Sequence, residues 1–128
     1  MAKLGDLIAR GPITVERHEP LARAASCMYD NRIGAVCVTG DEGGLLGIFT
    51  ERDLLRACAA GVDTHASTVG NWMTENPQTA SPEDDAGASL QIMIDNHFRH
   101  LPVMGAGGLL GVVSMRALAT ALQEERGT

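Results

Sequence analysis

An α+β fold built from two similar halves is what this sequence predicts, and three observations carry the reading. First, the chain repeats itself: Gly5 falls on Gly70, Pro12 on Pro77, Thr14 on Thr79, Met28 on Met93, Asp30-Asn31 on Asp95-Asn96 and Val38 on Val103. After a one-residue gap in a Gly-rich turn, where an insertion costs least, Gly44-Leu-Leu-Gly47 falls on Gly108-Leu-Leu-Gly111, Arg52 on Arg116 and Leu54 on Leu118. Second, each copy mixes helical periodicity with short apolar runs. Third, one copy of about 60 residues is marginal alone, so two copies packed through their sheets form the stable unit. A long period with two copies indicates a pseudo-symmetric pair, since solenoid arrays use shorter repeats in larger number.

Each copy reads as extended segment, helix, strand, turn, strand, helix. In the first, Pro20 opens a helix whose apolar positions Leu21, Ala24, Ala25 and Met28 recur at three and four residues, ending near Asn31. Ala35–Val38 and Leu45–Phe49, joined by a Gly-containing turn, form a hairpin. A last helix starts near Thr50. In the second copy, Ser81 is expected to cap a helix with Pro82 in its first turn and the acids after it favoured by the helix dipole. Leu90, Met93 and Ile94 are its expected buried stripe. The hairpin is Leu101–Val103 with Leu109–Val113, and the last helix starts near Ser114. The polar, aperiodic stretch 61–68 reads as the linker between a repeat over 4–60 and a repeat over 69–125.

Composition narrows the function. The 128 residues are 45% hydrophobic with a net charge of −6, and the ten basic residues are scattered. Nucleic-acid backbones need a clustered basic surface, so they are excluded as partners. With Trp72, Tyr29, Phe49 and Phe98 as the aromatic set, there is no stacking platform for single strands either. No apolar run approaches the roughly 20 residues of a membrane span. The start, Met1-Ala-Lys-Leu-Gly-Asp6, lacks a secretory layout, so a cytoplasmic location without membrane attachment is expected. Cys27, Cys37 and Cys58 are odd in number and sit in apolar segments, as buried small side chains rather than a disulfide framework. Four histidines with these cysteines lack ligand spacing apart from His97 and His100, so no metal is expected.

The order Ile13-Thr-Val, helix, Ile33-Gly-Ala-Val, turn, Gly47-Ile-Phe-Thr-Glu-Arg-Asp53, then Pro77-Gln-Thr, helix, Phe98-Arg-His-Leu-Pro-Val103, turn, Gly111-Val-Val-Ser-Met-Arg-Ala117 resembles a pair of cystathionine β-synthase (CBS) domains, a Bateman module. The resemblance covers essentially the whole chain. It implies two βαββα units related by a pseudo-two-fold axis, sheets packed together and helices outside, with two clefts that each hold an adenosine ligand. It also implies a homodimer of such pairs.

Thr50 and Asp53 form Thr-x-x-Asp at a helix start, where backbone N–H groups and the dipole favour an anion such as phosphate. The resemblance implies that the Thr50 hydroxyl contacts phosphate and that Asp53 accepts hydrogen bonds from the ribose hydroxyls. By position it adds Arg99, His100 and Arg116 as positive groups near the phosphate, and Ile48, Thr79 and Phe98 around adenine or ribose. The same Thr-x-x-Asp is also a capping box that any helix uses without a ligand, and the duplication around it is what favours the binding role. The second copy departs from the pattern, because Ser114 keeps the hydroxyl while Ala117 stands where the ribose-binding Asp belongs. Thr14, Ile33, Gly34, Arg52 and Ser114 would line this second, degenerate cleft, with Gly34 where the first has Arg99.

The function expected is a non-catalytic regulatory module that binds AMP, ADP or ATP between the repeats and signals to a protein partner. No cofactor is required. Arg99 and Arg116 favour a phosphorylated ligand over S-adenosylmethionine, which brings its own positive charge. The alternative is a ligand-free dimeric scaffold in which Thr50 and Asp53 serve only as caps. An enzyme is disfavoured, since no Walker loop, Rossmann fingerprint, nucleophile elbow or metal cluster is present. The chain ends soon after the second repeat, so the output is expected to pass to another molecule.

Overall fold

Residues Ile13–Pro77 make one unit of the computed structural model, and the described residues of Met1–Pro12 and Gln78–Thr128 make the other. The structure describes residues 2–8 and 10–127. In the first unit the order is β1 (Thr14–Glu16), α1 (Leu21–Asn31), β2 (Ala35–Thr39), β3 (Leu45–Thr50), α2 (Glu51–Ala59), a 3-10 turn (Val69–Asn71) and β4 (Thr74–Glu75). The four strands lie in the order β1-β2-β3-β4, the first pair parallel and the other two antiparallel.

Strand alternation divides this sheet into two faces. Val15, Val36, Val38 and Phe49 point to one side and form a core with Leu21, Ala24 and Met28 of α1, Ala57 of α2 and Val69. Burying a side chain the size of Val or Phe contributes about 1.5–3 kcal/mol each. The other face carries small and hydroxylated residues, because the register sets Thr14, Cys37, Ile48 and Thr74 in one row and Ala35 beside Thr50.

The second unit contains a 3-10 turn (Leu4–Leu7), α3 (Ala86–Asn96), β5 (His100–Gly105), β6 (Gly108–Ser114) and α4 (Met115–Gly127). β5 and β6 form an antiparallel hairpin, and Ala80 bridges Val103 in parallel, where β1 stands in the first unit. Leu4, Ala86, Met93, Leu101, Val103, Val113 and Leu118 form its core. The tandem α+β organisation read from the duplication is therefore present, each hairpin having a bulge near its turn.

The duplicated residues repeat their structural duties. Gly70 N–H donates to the Arg17 carbonyl at 2.7 Å and Gly5 N–H to the Pro82 carbonyl at 2.9 Å. A Cβ at Gly70 would lie 3.0 Å from the Arg17 oxygen, and one at Gly5 would lie 3.0 Å from the Pro82 Cβ, so glycine is the residue that permits either approach. Asn31 and Asn96 each close a helix by donating Nδ2–H to the carbonyl four residues back, both at 2.8 Å. Arg32 and His97 then turn the chain left-handed at φ 56° and 61°. Leu4 is in the core of the second unit and Val69 in that of the first, so the opening turn of each repeat belongs with the body of the other. Residues 61–68 pack on α1: the Ser67 and Thr64 carbonyls accept from the N–H groups of Leu21 and Ala22.

Several local expectations are corrected. Ser81 does not cap α3; the helix starts four residues later, with the Asp85 carboxylate accepting from Ala88 N–H at 2.9 Å. Ser81 lies in a preceding turn, its N–H bonded to the Asp84 carboxylate, because Pro82 and three acids make a turn before they make a helix. Ile94 is 49% exposed, and the buried stripe is Ala86, Ser89 and Met93 with Leu90 beside it. Of the cysteines, Cys37 is buried and Cys27 half-buried, whereas Cys58 is exposed on α2. Among the described residues, no helix is long and apolar enough to cross a membrane.

Candidate functional site

Strand β3 ends at Thr50 and α2 begins at once, so the carboxylate one turn in is held against the strand end. Thr50 Oγ1 accepts from Asp53 N–H at 3.2 Å, while Asp53 Oδ2 accepts from Thr50 N–H at 3.0 Å and from the Thr50 hydroxyl at 3.1 Å. This is the reciprocal capping box anticipated from the spacing. Asp53 is 5% exposed, and its other oxygen, Oδ1, accepts from Arg56 Nη2 at 3.0 Å. Three of the roughly four acceptor positions of this carboxylate are thus in use, one remaining on Oδ1.

The backbone at this helix start is less open than the sequence suggests. Glu51 N–H goes to the Gly34 carbonyl at 3.0 Å and Asp53 N–H to the Thr50 hydroxyl. Of the first three donors, that of Arg52 is the one turned to neither, so the dipole and a single N–H remain for an anion. Thr14, Ile48 and Thr50 share the sheet face opposite the helices. Ile48 is buried, Thr50 half-buried and Thr14 exposed. Gly34 sits beside Glu51, Arg52 is exposed on the first turn of α2, and Ile33 packs on the helix-side core.

The remaining candidate residues belong to the second unit. His100 and Ser114 face each other across β5 and β6. Ser114 Oγ accepts from Ala117 N–H at 3.0 Å, so the hydroxyl half of the capping box survives and the carboxylate half is missing. The Arg99 carbonyl accepts from Met115 N–H at 2.8 Å, the counterpart of Gly34 with Glu51, which makes Arg99 and Gly34 equivalent positions. Arg99, Arg116 and Thr79 are exposed. Phe98, assigned by resemblance to the ligand, is half-buried against this unit's own core. Ser114, Arg116 and Ala117 border a shallow groove of about 400 Å³ with Leu7 and Glu124. Among the described residues, no three His, Cys, Asp or Glu side chains converge as metal ligands.

Sequence reasoning gave Arg56 no role and Trp72 only a packing role. Arg56 bridges Asp53 Oδ1 and the Trp72 carbonyl, the latter at 3.3 Å, and its guanidinium lies 5.6 Å from the centre of the Trp72 ring. The signal available was the one-turn spacing Asp53-x-x-Arg56; nothing local pointed to Trp72.

Comparison with known proteins agrees with this architecture. The model of the CBS domain matches residues 4–60 and again 69–124. A crystal structure of a CBS-domain containing protein from Agrobacterium tumefaciens is 35% identical, covers 94% of this chain and 94% of that one, and superposes with a TM-score of 0.86. A CBS domain protein from Pyrobaculum aerophilum, complexed with AMP, is 24% identical over 98% of this chain and 99% of its own, with a TM-score of 0.86. A CBS domain pair in complex with 5′-methylthioadenosine and S-adenosyl-L-methionine is 21% identical, covers 98% of each chain and has a TM-score of 0.88. At that distance the last two show a shared fold. With both repeats matched and a relative of the same extent at 35% identity, the chain belongs to the CBS domain family and carries two CBS repeats.

Proposed function

We propose that this chain is a non-catalytic regulatory module that binds an adenosine nucleotide at the Thr50–Asp53 corner and passes its occupancy to a protein partner. One observation carries the reading: a carboxylate held by a capping box at a helix start, with an acceptor position to spare, beside the sheet face that carries Ile48 and Thr50. A ribose hydroxyl suits that acceptor, and the Arg52 N–H with the α2 dipole suits a phosphate. The AMP complex of a protein with the same fold supports the ligand class. A sulfonium ligand occurs in another, so the preference for phosphate rests on the charge of Arg99, His100 and Arg116, which the family pattern assigns to this corner.

The loss of the carboxylate at Ala117 supports one functional site per chain, with Thr14, Ile33, Gly34, Arg52 and Ser114 marking the degenerate one. A homodimer is part of the proposal, since Tyr29 and Leu55 leave apolar surface exposed on α1 and α2. Thermal unfolding of nucleotide-stripped protein with AMP, ADP, ATP and S-adenosylmethionine tests the function. A ligand at about 100 times its Kd adds about 2.7 kcal/mol, a shift of about 10 °C at this chain length. No shift with any of the four would leave the scaffold, in which Thr50 and Asp53 only cap α2.

A further inference from the structure

We propose that Arg56 and Trp72 form a latch on the Asp53 carboxylate, closed in the empty protein and released when a vicinal diol occupies that carboxylate. The inference rests on the nucleotide reading and adds to it how occupancy is registered.

A diol presents two O–H donors, and Asp53 has one acceptor position left, on Oδ1. Binding both hydroxyls therefore requires one present donor to leave. The Thr50 N–H cannot leave without opening the capping box of α2, and the Thr50 hydroxyl, whose part in the box is to accept from Asp53 N–H, is half-buried against the carboxylate it donates to, with little water to replace that bond. Arg56 can. Its side chain is 55% exposed, so water replaces the lost bond at little cost, and it belongs to no strand or cap.

The guanidinium that leaves is also the group that touches Trp72, through the carbonyl at 3.3 Å and the ring face at 5.6 Å. A cation over an indole is worth about 0.5–1 kcal/mol at an exposed site, comparable with the half-exposed ion pair it accompanies, so releasing one contact redistributes the other. Trp72 lies between the Val69–Asn71 turn and β4, a few residues before the chain leaves this unit at Pro77. A change at Asp53 thus reaches the connection between the units through one side chain. Trp72 is the single tryptophan of the chain, which makes the event visible.

The test titrates the full chain with adenosine, which carries the diol without phosphate, reading heat and tryptophan emission in parallel for wild type and Arg56→Met. The methionine keeps a stem over the indole and removes the donor. Wild type is expected to change emission with the midpoint of the heat signal; Arg56→Met is expected to bind about two- to five-fold tighter, the value of a half-exposed pair no longer broken, without that emission change. Heat with no emission change, or a variant that binds equally or more weakly, overturns the latch and leaves the nucleotide reading intact. If neither adenosine nor AMP gives heat with wild type, the nucleotide reading falls and the latch falls with it. Should Arg56→Met fail to fold, Arg56→Lys keeps the charge without the fork: a smaller emission change at undiminished affinity supports the latch, and weaker adenosine binding overturns it.

Discussion

Replacing Asp53 by alanine should destabilise the protein even with no ligand present, by an amount the geometry sets. The substitution removes the acceptor for Thr50 N–H and the Thr50 hydroxyl, at 3.0 and 3.1 Å, and the partner of Arg56. A hydrogen bond to a charged acceptor contributes about 1.5–3 kcal/mol when buried. Thr50 is half-buried, so water recovers part of that. The Arg56 pair adds about 0.4–1 kcal/mol, because the guanidinium is half exposed. The sum is about 1.5–2.5 kcal/mol, and for a chain of this length each kcal/mol moves Tm by roughly 4 °C, so a fall of about 6–10 °C is expected. Scanning calorimetry of wild type, Asp53→Ala and Asp53→Asn measures it, with the asparagine, which keeps an acceptor for Thr50 N–H, falling between. An Asp53→Ala protein within about 1 °C of wild type would refute the capping geometry, and with it the claim that this carboxylate is held in place.

Other consequences are equally direct. Gly47→Ala should cost about 1–3 kcal/mol in urea unfolding, because its Cβ would lie 2.6 Å from the Thr74 carbonyl oxygen and 2.8 Å from the Met73 sulfur. Gly111→Ala should cost less, since its contact under 3 Å is with one side-chain methyl, Ile8 Cγ2, and the nearest backbone oxygen is 3.4 Å away. Cys58 should react with a thiol reagent in the native protein at the rate of an exposed cysteine, and Cys37 only on unfolding. Burial pushes the Cys37 thiol up to about 12. The unfolded thiol ionises near its ordinary value of about 9, so stability should be complete below that pH and fall as pH rises from there towards 12, an alkaline loss that Cys37→Ala would not show. Ala117→Asp should raise Tm by about 2–4 °C, by giving Ser114 the reciprocal acceptor that Asp53 gives Thr50.

The fold was legible where the chain repeats a constraint. Gly5 and Gly70, Asn31 and Asn96, and the two Gly-Leu-Leu-Gly hairpins recur because each pair does the same geometric task, and such tasks leave the same residue behind. What was illegible is non-local or ambiguous. The exchange of Leu4 and Val69 between repeats depends on packing between segments far apart in sequence. β4 is two polar residues long and has no pattern of its own. Ser81 and Asp85 both satisfy the rules for an N-cap, and the choice fell to the turn that Pro82 favours. At the site, Thr50 with Asp53 could be read from one-turn spacing; the engagement of Glu51 N–H by Gly34, and of Arg56 by Trp72, required the hairpin and the segment after α2 to be in place.

Calorimetric titration of AMP into nucleotide-stripped wild type and Asp53→Asn tests the central claim most directly. The expected result is one site per chain in wild type, with binding weakened at least tenfold in Asp53→Asn, the loss of about 1.4 kcal/mol from a charged acceptor. Absence of heat in wild type, two equal sites per chain, or full affinity in Asp53→Asn would contradict it.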